Sequence, residues 1–270
     1  MAAGKSDRFT IILGAAIPFV EARRKQASGF SATPSLPPTI EDTYHALNIL
    51  GLARRYDAVQ GKGFDPAMDE DLRFYLDGCR RSLSVGARTT FQMLWCCRAA
   101  GLGLDRDAVA AVALDRMRIA DSLDDWYYCA RILVEVLGHK PPITAGARNV
   151  AVVLNRSWRG VDEAWMHLYL CGMFGHHLPQ AVPKLISWLL ASQNGDGGFG
   201  FFPGTTSFVE NSHYCLRALD ILGADPANPE TARCFITSCQ TVSGGFGRGL
   251  RAAPFLDTTW HALAALALLN

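Results

Sequence analysis

Gln193-Asn-Gly-Asp-Gly-Gly-Phe199 and Gln240-Thr-Val-Ser-Gly-Gly-Phe246 align without a gap, and eleven residues beyond each Phe stands an acid, Glu210 or Asp257. The two copies lie 47 residues apart. The same step of eleven runs from Phe30, preceded by Gly29, to Glu41. Each acid then opens an apolar run: Tyr44 to Leu50, His213 to Leu222 and Trp260 to Leu269. Apolar runs recurring at this period, with glycine turns between them, describe a helical repeat.

Taking acid, polar residue, Ser/Thr and aromatic as the register, weaker copies stand at Asp124-Asp-Trp-Tyr127 and Asp162-Glu-Ala-Trp165, and a degenerate one at Arg88-Thr-Thr-Phe91. Starts at 41, 88, 124, 162, 210 and 257 leave each repeat room for two helices and their turns. Outer helices are expected at Thr10 to Gln26, Val182 to Gln193 and Thr231 to Gln240, with apolar residues at steps of three and four. The glycines end the outer helix, and the acid sits in the first turn of the inner one, where the macrodipole favours it. The expected fold is all-α: a six-hairpin α/α barrel with inner and outer helix rings, formed by residues 1–270 as a single domain.

Composition narrows the function. Lys and Arg number 26 against 25 Asp and Glu, so a net charge of +1 removes the electrostatic case for a nucleic-acid or anionic-membrane binder. A chain with 49% hydrophobic and 19% charged residues is not disordered and can build a large core or a large apolar cavity. The eight cysteines show no Cys-x-x-Cys spacing and read as reduced, mostly buried thiols of a cytoplasmic protein. The apolar run Phe9 to Val20 is one amphipathic helix, too short to span a bilayer. Dinucleotide, P-loop, zinc-protease and nucleophile-elbow motifs are absent.

The position three residues after each start is Tyr44, Phe91, Tyr127, Trp165, His213 and Trp260. Taken singly, each reads as core. As a set at one depth of a closed ring they read equally as the wall of a cavity, which would solvate a long apolar ligand and stabilise a carbocation. Glu41 with His45, Glu210 with His213, and Asp257 with His261 sit about one helical turn apart. Glu41, Asp257 and Glu210 are thus candidate catalytic acids, and Glu210, His213 and Asp257 a candidate metal set for zinc or magnesium; dipole-stabilised acids pairing with a histidine give the same pattern. Arg248 and Arg251, in the loop before Asp257, are candidates for gripping a diphosphate, since guanidinium forks match phosphate oxygens. Asp196 reads as a turn residue, and the His176-His177 pair as a solvated loop.

At these residues the chain resembles the superfamily of protein prenyltransferase β-subunits and squalene or terpene cyclases. Gln193 to Phe199 and Gln240 to Phe246 look like its Gln-x-x-x-Gly-Gly-Phe signature. Ile40-Glu-Asp-Thr-Tyr-His-Ala-Leu-Asn-Ile-Leu50 and Leu256-Asp-Thr-Thr-Trp-His-Ala-Leu263 look like its inner-helix starts. The resemblance implies an isoprenoid or polyprenyl diphosphate in the barrel, and it brings in the question of a helical partner subunit. Family zinc transferases hold the metal with an Asp and a Cys two residues apart and a His from the next repeat; here Glu210 and Ser212 stand at the matching positions, with Thr258 or a neighbour in place of the His. Family cyclases protonate with the middle acid of Asp-x-Asp-Asp-Thr, matched here by Thr39-Ile-Glu-Asp-Thr43. Prenyl transfer is the leading expectation, with a compact protonation-initiated cyclase using Glu41 or Asp257, or a noncatalytic lipid- or protein-binding barrel, as rivals.

Overall fold

A computed structural model describes residues 3–58, 63–81, 86–139, 158–175, 178 and 181–270. Eleven α-helices occur among them, without a strand. Six are inner helices: α2 (Ile40–Arg55), α4 (Ala87–Ala99), α6 (Leu123–Arg131), α7 (Val161–Phe174), α9 (Val209–Ile221) and α11 (Leu256–Leu268). Every one starts a single residue before its repeat start in the sequence, the degenerate Arg88 copy included. α2 packs on α4, α4 on α6, α6 on α7, α7 on α9, α9 on α11, and α11 back on α2, so the ring is closed.

The outer helices are α1 (Ala3–Glu21), α3 (Glu70–Arg80), α5 (Arg106–Ile119), α8 (Val182–Ala191) and α10 (Pro229–Ser238), packed on α2, α4, α6, α9 and α11 in turn. Residues 140–157, before α7, and the His176-His177 pair lie outside the described residues. Burial separates the two rings. α2 buries Thr43 through Leu47 without a break, together with Ile49, Leu50, Leu52 and Ala53, whereas α3 buries only Leu72 and Leu76 and α8 only Leu185 and Leu189. An inner helix has neighbours on all sides; an outer helix needs one apolar stripe.

Three outer-helix boundaries differ from expectation. α8 stops at Ala191 and α10 at Ser238 because Gln193 and Gln240 leave the helix to bridge Phe199 and Phe246. α1 begins at Ala3 and ends at Glu21, because Arg24 takes the glutamine position and bridges Phe30. Each glutamine then clamps its own turn to the next outer element: Gln193 Nε2 donates to the Gly197 and Asn228 carbonyls, Gln240 Nε2 to those of Gly244 and Ile12. The Gln240 clamp joins the last repeat to the first.

The turns are locked to the inner helices by a repeated pair of hydrogen bonds. The Phe30, Phe199 and Phe246 amides donate to the hydroxyls of Thr43, Ser212 and Thr259 at 3.0, 3.0 and 2.9 Å. Those hydroxyls donate in turn to the carbonyls of Thr39, Phe208 and Phe255. The three Phe rings are fully buried. Asp196 accepts from the Gly198 amide and the Ser207 hydroxyl, a turn role as expected.

Thr259→Val should lower unfolding free energy by about 1–3 kcal/mol, since it strands the buried Phe246 amide. Gly244→Ala should cost more, because Gly244 has φ +88° and a Cβ there would run into the Ala15 carbonyl oxygen. Gly78→Ala, in exposed open space on α3, should instead stabilise by roughly 0.5–1 kcal/mol. Urea unfolding of the three variants checks this order.

Candidate functional site

The ring encloses a cavity of about 350 Å³. Residues three and four after each repeat start are neighbours about 100° apart on the helix, and both flank its inward side. Tyr44, Tyr127, Trp165, His213 and Trp260 line the cavity from the first register, and His45, Gln92, Tyr128, Met166, Tyr214 and His261 from the second. Phe91 is the exception. It is wholly buried in the wall, edge-on to Tyr44 at 5.7 Å, with the Arg131 guanidinium 4.0 Å above its ring. Toward the C-terminal ends of α2 and α11 the lining becomes Leu52, Arg55, Tyr56, Ala264, Ala267 and Leu268.

The aromatic wall is cross-braced. Trp165 Nε1 donates to the Tyr127 hydroxyl at 2.9 Å, Tyr169 packs edge-on to Tyr127 at 5.3 Å, and Arg217 lies 4.6 Å over the Trp165 ring. Burial pushes the Tyr127, Tyr128 and Tyr214 hydroxyls above the ordinary phenol range, so they stay protonated.

Four arginines line the cavity: Arg55, Arg88, Arg131 and Arg217. Arg131 donates from Nε and Nη2 to the two oxygens of Glu135 at 2.8 and 2.9 Å, and from Nη2 to the Tyr44 hydroxyl at 3.3 Å. Glu135 lies in a π-helical turn, Ile132–Val136, that continues α6, and it also accepts from Tyr169. Arg88 donates to Glu41 at 2.6 Å. Arg55 and Arg217 have no carboxylate partner among the described residues. Among the described residues the lining holds no carboxylate. The interior is therefore positive as well as aromatic, which draws in an anion carried on an apolar body.

Three histidines complete the wall. His213 Nδ1 and His261 Nδ1 are 2.8 Å apart, so one ring donates and the other accepts, and the two tautomers are opposite. His45 packs against His261 at 6.1 Å, and neither of its ring nitrogens has a hydrogen-bond partner among the described residues. Burial first lowers all three, followed by the charge of His261 and nearby arginines for His45 and His213 and of Arg88 for His261. His261 falls to about 3, and His45 and His213 lie well below the ordinary imidazole value.

The acids singled out in the sequence stand elsewhere. Glu41 is half exposed and lies along a separate groove of about 540 Å³ with Asp42, Asp257, Thr39, Thr89 and Phe255. Glu210 is held above the usual carboxyl range by burial and by Asp257 nearby, and sits 3.8 Å from Arg248 Nε. Arg248 stacks over Phe208 at 4.0 Å, and Arg251 is exposed at φ +61°; neither lines the cavity.

Glu210, His213 and Asp257 are not assembled as ligands. Among the described residues no three His, Cys, Asp or Glu side chains are grouped to hold a metal ion. The family zinc positions do not fit either, because the Ser212 and Thr258 hydroxyls are spent on backbone groups at Phe199, Phe208, Phe246 and Phe255. The cysteines are free, and all but Cys79 and Cys234 are buried. The cavity arginines were nonetheless legible: Arg131 and Arg217 both stand seven residues after a repeat start, and Arg88 occupies one.

Because these imidazoles titrate lower when folded than unfolded, the unfolded chain binds more protons below about pH 6.5. Stability should be complete at neutral pH and fall as pH drops from about 6.5, each buried histidine contributing up to about 1.4 kcal/mol per pH unit. His261, at about 3, and His167, at about 4, extend that loss furthest into acid among those with a definite value. Thermal melts between pH 7.5 and 5 should show it, and a flat profile would contradict neutral buried rings.

Among the described residues no helix is long and apolar enough to cross a membrane. No curated protein matches the chain. The model of the prenyltransferase alpha-alpha toroid domain matches residues 12–76, 155–209 and 206–270. Those segments cover most of the chain and contain the Gly-Phe turns and the acids that follow them, so this protein belongs to the prenyltransferase alpha-alpha toroid family.

Proposed function

We propose that the chain is an isoprenoid-handling enzyme that binds a polyprenyl diphosphate in the central cavity and catalyses prenyl transfer. The supporting observation is the lining: aromatic rings from five of the inner helices and four arginines, with no carboxylate among the described residues that line it. In this reading the rings solvate the tail, while Arg88, Arg131 and Arg217 take the diphosphate oxygens. Transfer breaks the bond between C1 of the tail and the diphosphate oxygen, and forms one from C1 to the acceptor nucleophile. The charge left on the diphosphate grows as that bond breaks, and fixed guanidinium groups in a closed cavity stabilise it most at that stage. The acceptor's proton leaves toward the rim, a role we assign to Glu210 and Asp257; Glu41 acts by holding Arg88.

Protonation-initiated cyclisation is less well supported. It needs an un-ionised acid facing the alkene, and four guanidinium groups would raise the energy of a carbocation beside them. We read residues 1–270 as one domain acting in the cytoplasm without a membrane span, with a helical partner subunit as a further question for co-purification.

Arg217 is the informative position because it has no carboxylate partner among the described residues, so its removal leaves none of their charges unpaired. Arg217→Gln should weaken a C15 prenyl diphosphate about tenfold and leave a C15 prenyl alcohol within about twofold, by calorimetry. Diphosphate release should depend on an acceptor. Tight binding without turnover would instead mark a storage barrel, and a ring product from a polyprenyl substrate would mark a cyclase.

A further inference from the structure

Few groups in the cavity wall can take up a proton. Burial holds Tyr127, Tyr128 and Tyr214 protonated, the arginines are already charged, and no carboxylate occurs among the described lining residues. The basic lone pairs of that lining belong to His45, His213 and His261. Burial above all keeps the three rings unprotonated at neutral pH, so each retains a lone pair.

His213 and His261 differ from His45 in being bonded to each other. The 2.8 Å contact joins Nδ1 to Nδ1, so one ring carries its proton on Nδ1 and its lone pair on Nε2, while the other is the reverse. Tyr214 steadies both, stacked on His213 at 5.9 Å and edge-on to His261 at 5.1 Å. A proton arriving at the Nε2 lone pair turns the bond between the rings into one between imidazolium and imidazole, about twice as strong as a neutral bond. The pair is therefore a better base than a single ring at the same depth. Its surroundings select what it can serve. Arg131 and Arg217 bear on His213 with positive charge, and Arg88 on His261, which disfavours a protonated amine in the cavity. A thiol beside such charge ionises without help. A hydroxyl keeps its proton at neutral pH and is a weak nucleophile until a base removes it.

We infer that the His213–His261 pair is the catalytic base of the transfer and that the acceptor is a hydroxyl compound, an alcohol or phenol, whose proton the pair takes as the new C1–O bond forms. This rests on the prenyl-transfer reading above. As the acceptor oxygen bonds to C1, the bond from C1 to the diphosphate oxygen breaks and its electron pair leaves with the diphosphate. The acceptor's O–H bond breaks toward the Nε2 lone pair of the ring that donates through Nδ1, and the partner ring fixes that tautomer and shares the charge. The proton then passes to the rim carboxylates Glu210 and Asp257, which stand about one helical turn before His213 and His261 on α9 and α11.

The test assays His213→Gln, His261→Gln, the double variant and His167→Gln with a C15 prenyl diphosphate and either phenol or thiophenol, reading diphosphate release and the ether or thioether formed. With phenol, kcat should fall about a hundredfold or more in the worse single variant, the double variant should be no slower than that one, and KM for the diphosphate should stay within about twofold. With thiophenol the loss should be less than about tenfold. His167, buried outside the cavity lining, should change neither acceptor when replaced. Equal losses with phenol and thiophenol, or losses that multiply in the double variant, overturn the base assignment, and a wild type that prenylates thiophenol alone overturns the hydroxyl acceptor. Histidine nitrogen NMR of the wild type at neutral pH checks the pair without substrate. One Nδ1–H ring and one Nε2–H ring are expected, the Nδ1–H ring being the one whose loss slows phenol more; two Nε2–H rings overturn the pairing. A wild type that releases no diphosphate with either acceptor overturns the transfer reading, and the base assignment with it.

Discussion

A hydroxyl two residues into each clear repeat carries two bonds at once. At Thr43, Ser212 and Thr259 it accepts the amide of the turn phenylalanine and donates to a carbonyl one helical turn back. The turn backbone is thereby held against the start of the inner helix, and a Phe ring is buried beneath the join. Because the geometry repeats, successive inner helices begin at equivalent heights, which lets residues from different repeats share one layer of the cavity. The final turn then meets α1 through Gln240 and Gly244, and the repeat becomes a ring.

That closure sorts charge. All the inner helices but α4 carry acids in their first turns, as the macrodipole favours; of these acids Glu41, Asp42 and Asp257 share the outer groove. Inside the ring lie four guanidinium groups. Arg88 and Glu41 form the link between the two regions, an ion pair whose halves line different spaces. The rim acids are thus separated from the aromatic wall.

Departure from the repeat pattern is informative in itself. Residues 77–154 lie between the segments that match the family model. They include Arg88 where an acid is expected, Phe91 turned into the wall, and the Arg131–Glu135 pair on a helix that changes to π-helical winding. π turns shift side chains off the regular face and are found often at functional sites. The half of the ring that follows the consensus supplies its closure; the divergent half supplies Arg88 and Arg131.

Local patterns in the chain determined the all-α class, the six inner-helix starts and the inward register, because glycine turns, dipole-placed acids and helical periodicity act over a few residues and leave a repeated mark. The same marks made Tyr44, Tyr127, Trp165, His213 and Trp260 readable as one layer. Only the tertiary structure decided which charged groups share that layer. Glu41 and Asp257 stand out in the sequence yet lie in another groove, and Arg248 and Arg251, near in sequence to an acid, stay outside, while Arg88, Arg131 and Arg217 come from three helices far apart in the chain. His213 bonds to a histidine 48 positions away, where an acid one turn off had been expected. Which side chains meet inside a closed ring depends on how the helices are rotated as they pack, and no stretch of sequence a few residues long encodes that rotation.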